Sequence, residues 1–177
     1  QAESSAASDV YKRQAITTTS TTVPAVVARV TGPVLDLPVR TLGDDDPRGR
    51  FLLWQRTHRQ PTPYALLMQG WSHTIAEEPL VIAAASLDTD ARIWEKAVEA
   101  RQFRQEDFAE AVAGWRQSPD SAALAQSGAR LAAMGFTQVI LHVGMLNDED
   151  APGVIQLLEG VLGPGESVDD ALLWELS

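Results

Sequence analysis

The most constraining stretch of this sequence is residues 134–144, where a helix stop, an apolar run and a polar exit follow one another. Gly135 stands where a glycine ends many helices, because it adopts a left-handed conformation without steric cost. Residues 139–141 are a continuous apolar run, which predicts a strand covered on both faces. His142 then lies at the carboxyl end of that strand, where open α/β sheets bind ligands. The stretch therefore predicts the central strand of an α/β sheet.

Apolar patterns predict further elements on both sides of this strand. A first strand is expected over residues 34–39 and a second over residues 50–57, and the short link between them favours an antiparallel pair. Helical spacing and helix start signals predict helices over residues 23–30, 77–87, 118–134 and 147–162, with a last strand over 171–176. Residues 88–117 are expected to form two helices or one kinked helix, because the apolar pattern slips near residues 104–107. The order of elements from residue 138 onward favours a parallel crossover. The predicted fold is α/β, a single domain with a small mixed sheet of about four to five strands covered by helices.

Composition limits the classes of function. The 177 residues suffice for one domain with a real core, and a net charge of −10 disfavours nucleic acid and anionic membrane surfaces as partners. The absence of cysteine excludes disulfides, thiolate catalysis and cysteine metal sites. The longest apolar run, residues 79–87, is far shorter than the roughly 20 residues that span a bilayer. No phosphate-binding loop, dinucleotide glycine motif or zinc spacing occurs, so no cofactor is predicted.

The amino-terminal residues differ in character from the rest. Residues 5–14 resemble a translated sequencing-adaptor tail found on many unrelated environmental sequences, so residues 1–14 are interpreted as a non-native tail on a reading frame cut at its 5′ end. The alternative is an ordinary disordered terminus. Residues 15–31 are expected to form a linker and a short helix, and the α/β domain is expected over residues 32–177.

Candidate binding residues lie near the predicted strand ends. His58 and Arg59 follow the second predicted strand, and a histidine beside a guanidinium can bind an anionic or sugar-phosphate group. Trp54 and Trp71 flank this loop and would form a stacking wall for a sugar or an apolar chain. His142 would face the same cleft. The competing interpretation is an exposed polar loop, a hydrogen-bonded structural histidine at the strand end and tryptophans packed in the core.

Catalytic patterns are weak. Residues 70–74 resemble a nucleophile elbow around Ser72, but Thr74 stands where the second glycine belongs, and no spacing shows a base with an orienting acid. Asp88 and Asp90 have the spacing of the metal-binding acid pair of nucleotide-sugar transferases, and they equally suit the start of a helix. No catalytic residue and no metal site is therefore predicted, and a small serine hydrolase is kept as an alternative.

Four motifs, taken in order, carry a family resemblance. They are GPVLDLP at residues 32–38, WQRTHRQP at residues 54–61, LAAMGFTQVILH at residues 131–142 and ALLWEL at residues 171–176. Their order and spacing resemble the soluble carboxy-terminal region of bacterial polytopic membrane proteins similar to lipid-linked-sugar glycosyltransferases of family C type. The chain departs from that pattern at residues 62–64, where Thr-Pro-Tyr replaces an Asn-Gly, and over the longer, more helical residues 77–117.

The resemblance implies a non-catalytic, extracytoplasmic domain at the end of a multi-spanning membrane glycosyltransferase-like protein. The family's catalytic acids lie in loops between membrane helices, so none is carried over, although His58, Pro61 and His142 match motif positions. The expected partners are the membrane-embedded part of the parent protein and a glycan or lipid-linked sugar. The expected location is the extracytoplasmic face of a bacterial membrane, with this fragment itself soluble. The residues alone leave open a free-standing soluble binding or interaction domain that uses the cleft near His58 and His142.

Overall fold

A mixed sheet of four strands lies at the centre of the described chain. The computed structural model describes residues 22–39, 48–63, 75, 77–89 and 106–177. The strands are β1 Val34–Leu37, β2 Gln138–His142, β3 Glu166–Val168 and β4 Ala171–Glu175, in the spatial order β1-β2-β4-β3. β1 and β2 are parallel, whereas β4 is antiparallel to both β2 and β3. The predicted α/β class with a small mixed sheet is confirmed.

Helices lie against the sheet within the described ranges. The α-helices are α1 Arg48–His58, α2 Pro79–Leu87, α3 Glu106–Gln117, α4 Ser121–Ala125, α5 Ser127–Ala133 and α6 Ala151–Leu162. Two 3-10 helices span Ala25–Arg29 and Val143–Met145. α2 contacts α3, α4 and α6, while α1 contacts the 3-10 helix Ala25–Arg29. The helices therefore form two groups, and α1 with the first 3-10 helix is the group that matters for the site.

β2 is the centre of the sheet, as its sequence predicts. All five of its residues are buried, and it lies between β1 and β4. The preceding helix ends where the glycine was expected to end it, because Gly135 has a φ of +96°. Gly135 N donates to Ala132 O, and Phe136 N donates to Leu131 O, the two hydrogen bonds of a Schellman motif. The helix therefore ends before Gly135, and the chain enters β2 at Gln138.

The predicted second strand is wrong, because residues 50–57 lie within α1. Phe51 and Trp54 are 1% and 5% exposed, whereas Leu53 between them is 39% exposed. Burial at positions three apart is the period of a helix, and a strand would have alternated every second residue. The expected antiparallel pairing of this segment with β1 is therefore wrong as well, and β1 pairs with β2 instead.

The predicted parallel crossover from β2 to the last strand is also wrong. β2 and β4 are antiparallel, with Ile140 opposite Leu173. The reason is a strand that the sequence interpretation missed: β3 follows α6, runs in the same direction as β2, and turns back through residues 169–170 into β4. The crossover through α6 therefore joins β2 to β3, with β4 between them.

Several predicted helices are confirmed with adjusted ends. The apolar helix over residues 77–87 is α2, and the amphipathic helix after β2 is α6, in which Val154 and Leu158 are buried. The helix predicted over residues 118–134 is divided at Gln126 into α4 and α5. Its cap is Asp120, whose carboxylate accepts from Ala123 N at 2.9 Å. Residues 90–105 of the predicted helix that begins at residue 88 lie outside the described chain.

Candidate functional site

A buried Asp–His pair joins the two parallel strands. The register that sets Asp36 opposite Ile140 places Asp36 and His142 on the same face of the sheet. His142 Nε2 lies 2.9 Å from Asp36 Oδ1, and the two residues are 3% and 4% exposed. An ionised carboxylate can only accept hydrogen bonds, so an ionised Asp36 places the histidine proton on Nε2. The pair therefore fixes the imidazole at the carboxyl end of β2.

Two aromatic residues of α1 cover this pair. The Phe51 ring is stacked on the His142 imidazole, with centroids 5.2 Å apart and planes 25° from parallel. The Trp54 ring is tilted against the same imidazole, with centroids 4.8 Å apart. Phe51 and Trp54 also contact each other at 5.7 Å. Because their spacing of three residues puts both rings on one side of α1, the helix lies across the strand ends and excludes water from the Asp–His pair.

A cleft of about 350 Å³ opens beside the Asp–His pair. We call it the carboxyl-end cleft, and its walls are formed by Thr22, Val23, Pro24, Ala25, Arg50, Trp54, His142, Gly144, Met145, Asp169 and Asp170. Its volume is within the range of small-molecule sites. The lining combines one guanidinium and two carboxylates with apolar surface, so it offers both donors and acceptors to a ligand.

The β3–β4 turn holds the two carboxylates at this cleft. Asp169 has a φ of 52°, a left-handed conformation that aspartate tolerates better than most residues. Asp170 O accepts from Val143 N at 2.9 Å and from Gly144 N at 3.4 Å. A β-carbon at Gly144 would lie 2.9 Å from Asp170 Oδ2, so only glycine leaves this carboxylate its position. The turn is thereby fixed on the residues that follow β2.

His58 lies one helical turn beyond Trp54 and has a different environment from His142. Its Nδ1 accepts a hydrogen bond from Gln60 N at 3.0 Å. Partial burial lowers the pKa of His58 below 6.5, and the nearby Asp36 carboxylate opposes that shift. Arg59 is exposed and has a φ of 60°. The turn after α1 therefore requires the neutral imidazole, because only an unprotonated Nδ1 can accept this hydrogen bond.

The structure brings together only part of the predicted binding set. Trp54 and His142 line the carboxyl-end cleft, whereas His58 and Arg59 do not. The separation arises because α1 carries the chain back toward the start of β1, where Pro61 O accepts from Val34 N at 3.1 Å. The two histidines therefore do not share a cleft. Trp71 lies outside the described residues, so the predicted pair of stacking tryptophans is not described.

An apolar groove of about 490 Å³ lies at the opposite, amino end of β1 and β2. Its lining is Pro33, Pro61, Thr62, Pro63, Ile75, Met134, Gly135 and Phe136. Three of these residues belong to the loop after α1, and three belong to the stop between α5 and β2. The same loop that removes His58 from the carboxyl-end cleft thus forms one wall of this second surface.

Sequence reasoning missed Asp36, Phe51 and Asp170 as parts of the site. Asp36 had a usable signal, because an acid between two leucines in an apolar strand is buried only if it has a partner. Phe51 was assigned to a strand, which hid its place on the same face as Trp54. Asp170 carried no signal, since the hairpin that positions it was not predicted.

The weak metal and catalytic patterns of the sequence lie partly outside the described chain. Among the described residues, no group of three or more histidine, aspartate, glutamate or cysteine side chains could hold a metal ion. Asp88 is buried, while Asp90 lies outside the described residues, as does the elbow around Ser72. None of the helices in the parts of the chain that are described is long and apolar enough to cross a membrane.

Comparison of the chain with protein families, with curated proteins and with solved structures found no match.

Proposed function

We propose that this chain is a non-catalytic, extracytoplasmic carboxy-terminal domain of a multi-spanning membrane protein of the lipid-linked-sugar glycosyltransferase type. In that role it packs on the membrane region or helps to position an acceptor. The observation that carries the proposal is the spatial convergence of the four resemblance motifs. They are far apart in the sequence, yet β1, β2 and β4 are hydrogen-bonded in one sheet, and α1 with its loop contacts β1 and β2.

Contacts between motif residues support a shared fold signature. Asp36 of the first motif binds His142 of the third, and Trp54 of the second contacts that histidine. Val34 of the first motif donates to Pro61 of the second. The polar and aromatic residues that make the motifs recognisable therefore join β1, α1 and β2. Such residues are under packing constraint, which explains why a motif set of this kind can recur in a domain without catalytic acids.

The state of the Asp36–His142 pair favours a structural role for it. Both residues are almost fully buried, and His142 is enclosed by Phe51 and Trp54. A general base must come within hydrogen-bond reach of a substrate proton, and His142, although it borders the cleft, is only 3% exposed beneath two aromatic rings. We therefore assign the pair to holding the strand ends, which in turn fixes the wall of the carboxyl-end cleft.

The test of this proposal is recovery of the genomic region upstream of the sequence. We expect a reading frame that continues upstream and encodes several apolar helices of roughly 20 residues each. A reporter enzyme that is active only outside the cytoplasm, fused after Ser177 of the complete protein, should then be active. A start codon just before Val23, or activity only of a cytoplasmic reporter, would contradict the proposal.

A second candidate function is a free-standing binding domain, and the carboxyl-end cleft favours it. The cleft has ligand-like volume and displays Arg50, Asp169 and Asp170 beside Trp54. A ligand that binds the folded chain raises its melting temperature in proportion to the logarithm of its concentration. A screen of soluble sugars and amines should therefore produce a shift that is lost in Asp169→Asn, at the cleft, and kept in the control Asp148→Asn, which lies outside the lining. The membrane-domain proposal predicts little response to soluble sugars.

A further inference from the structure

The turn that ends α1 is held by a hydrogen bond that only an unprotonated nitrogen can make. Arg59 N donates to Gln55 O at 2.7 Å, and Gln55 Nε2 donates to Gln60 O at 3.0 Å. Gln60 N completes the turn by donating to His58 Nδ1 at 3.0 Å. An imidazolium carries protons on both nitrogens and has no acceptor. Protonation of His58 must therefore break the bond to Gln60.

The closed turn contains two features that opening would relieve. Arg59 has a φ of 60°, which costs a non-glycine residue free energy in the left-handed region. Thr62 Oγ1 is buried and has no hydrogen-bond partner in the described structure. A buried hydroxyl without a partner is unfavourable compared with one in water. Both features reduce the net stability of the closed turn, so the loss of the His58–Gln60 hydrogen bond weakens a segment that already contains them.

The loop after this turn is attached to β1 and forms a wall of the apolar groove. Pro61 O accepts from Val34 N at 3.1 Å, which ties the loop to the start of the strand. Pro61, Thr62 and Pro63 line the groove opposite Met134 and Phe136. A change in the turn at residues 58–60 is therefore transmitted within three residues to the groove.

The charges around His58 define how it would respond to a proton. Asp36 of β1 is the charged group that acts on the pKa of His58 among the described residues. Its carboxylate is already bound by His142 of β2. Arg56 and Arg59, on its own segment, are exposed. Burial outweighs the attraction of Asp36 and lowers the pKa of His58.

From these contacts we infer that the turn after α1 is a proton-sensitive latch, in which protonation of His58 releases residues 59–63 and reshapes the apolar groove. The latch is a property of this chain and holds whether or not the domain belongs to a membrane protein. Acidification would act locally at the amino end of the sheet. Neither His58 nor the loop lines the carboxyl-end cleft, so the change at the apolar groove is the one that this latch produces directly.

Amide hydrogen exchange of the full chain tests this inference. At about pH 7.5 the Gln60 amide should be protected, and at about pH 5 its protection factor should fall by about five- to tenfold as its hydrogen bond is lost. The fall should follow the titration of the His58 imidazole in the same sample. The midpoint pH of this fall is compared with the midpoints at which the ring-nitrogen chemical shifts of His58 and of His142 change. A midpoint that follows His142, or an unchanged Gln60 amide, would overturn the latch.

Two variants distinguish the role of His58 as a hydrogen-bond acceptor from its ability to bind a proton. An asparagine at position 58 can accept from the backbone N–H two residues later but does not titrate. His58→Asn should therefore keep Gln60 protected at both pH values, and His58→Ala should leave it unprotected at both. A pH-dependent loss of protection that persists in His58→Asn would show that another group operates the turn. The exchange of Gly144 N, at the other end of the sheet, serves as the internal reference in every sample.

Discussion

Two contacts between a carboxylate and a nitrogen base, nearly equal in length, show how differently polar pairs are placed at the two ends of the sheet. The Asp36–His142 pair, at the carboxyl end, is 2.9 Å long, and its side chains are 6% and 4% exposed. The Arg29–Glu166 pair is 3.0 Å long, and its side chains are 52% and 54% exposed. Water screens the exposed pair, whereas removing one partner of the buried pair leaves an uncompensated polar group. Burial, and not distance, therefore decides which pair holds the fold together.

The largest contrast between a variant and its control should come from breaking the buried pair. Asp36→Ala leaves the His142 imidazole without its partner under Phe51 and Trp54, and we expect the free energy of unfolding to fall by about 3 to 5 kcal/mol. Urea unfolding followed by tryptophan fluorescence measures this change. The matched control is Asp148→Ala, which removes an exposed acid and should change stability by less than about 0.5 kcal/mol. Equal losses in the two variants would refute the contrast between the ends.

The double variant Asp36→Leu/His142→Leu sharpens the same point. Replacing both members of a buried pair by apolar residues avoids the uncompensated group, so its stability should be much closer to wild type than that of Asp36→Ala. The same unfolding measurement applies. A double variant as unstable as the single one would mean that the cost comes from altered packing, and not from an unpaired buried polar group.

A smaller contrast is expected between two phenylalanines. Phe51 is 1% exposed and stacks on His142, so Phe51→Ala should cost about 3 to 5 kcal/mol. Phe136, in the wall of the apolar groove, is only partly buried, and Phe136→Ala should cost less than half as much. Both values come from urea unfolding at one pH. The order would be reversed if the groove, and not the carboxyl end, contained the main packing contacts.

The pH dependence of stability should reveal His58. Because burial lowers its pKa in the folded chain below 6.5, the unfolded chain binds more protons at mildly acidic pH. The stabilising contribution of the neutral imidazole is therefore complete above pH 6.5 and is lost as the pH falls through the folded-state pKa. The free energies of unfolding of wild type and His58→Asn, measured by denaturant titration and plotted against pH, should converge or cross in that range. Parallel curves for the two proteins would exclude His58 as the source.

The smallest effect should come from the exposed pair. Glu166→Gln removes the charge that Arg29 contacts and keeps the shape of the side chain, and we expect a change below about 0.5 kcal/mol. That change should shrink further in high salt, because exposed charges are screened. A loss comparable to that of Asp36→Ala would show that exposure does not govern the worth of ion pairs in this fold.

The sequence allowed prediction of those elements whose pattern has a single interpretation. β2 is a continuous apolar run between a glycine stop and a histidine, and α6 has a clear stripe through Val154 and Leu158. Residues 51–54 have four apolar residues in succession, which suit a strand or a helix equally. The choice depends on whether position 53 meets solvent, and that is decided by tertiary packing. The sequence therefore could not place α1.

The candidate site was less predictable because its contacts are long-range. Asp36 and His142 are 106 positions apart, and they meet only because β1 and β2 are parallel in one particular register. A shift of one residue would turn Asp36 to the other face. His58 and His142 looked alike in sequence, as histidines after apolar segments. The direction of α1 separates them. Assigning residues 50–57 to a strand placed His58 at the carboxyl end of the sheet, beside His142, which is the wrong end.

The distance in sequence between β1 and its partner has a consequence for biosynthesis. The ribosome completes β1 about a hundred residues before it reaches β2, which at usual elongation rates is a delay on the order of 5 to 20 s. Throughout that interval the earlier strand has no neighbour on its pairing edge, and closing so long a loop slows folding. Residues 34–37 are therefore available during that interval to chaperones that hold nascent apolar segments. Premature release of the growing polypeptide should yield aggregation through this segment.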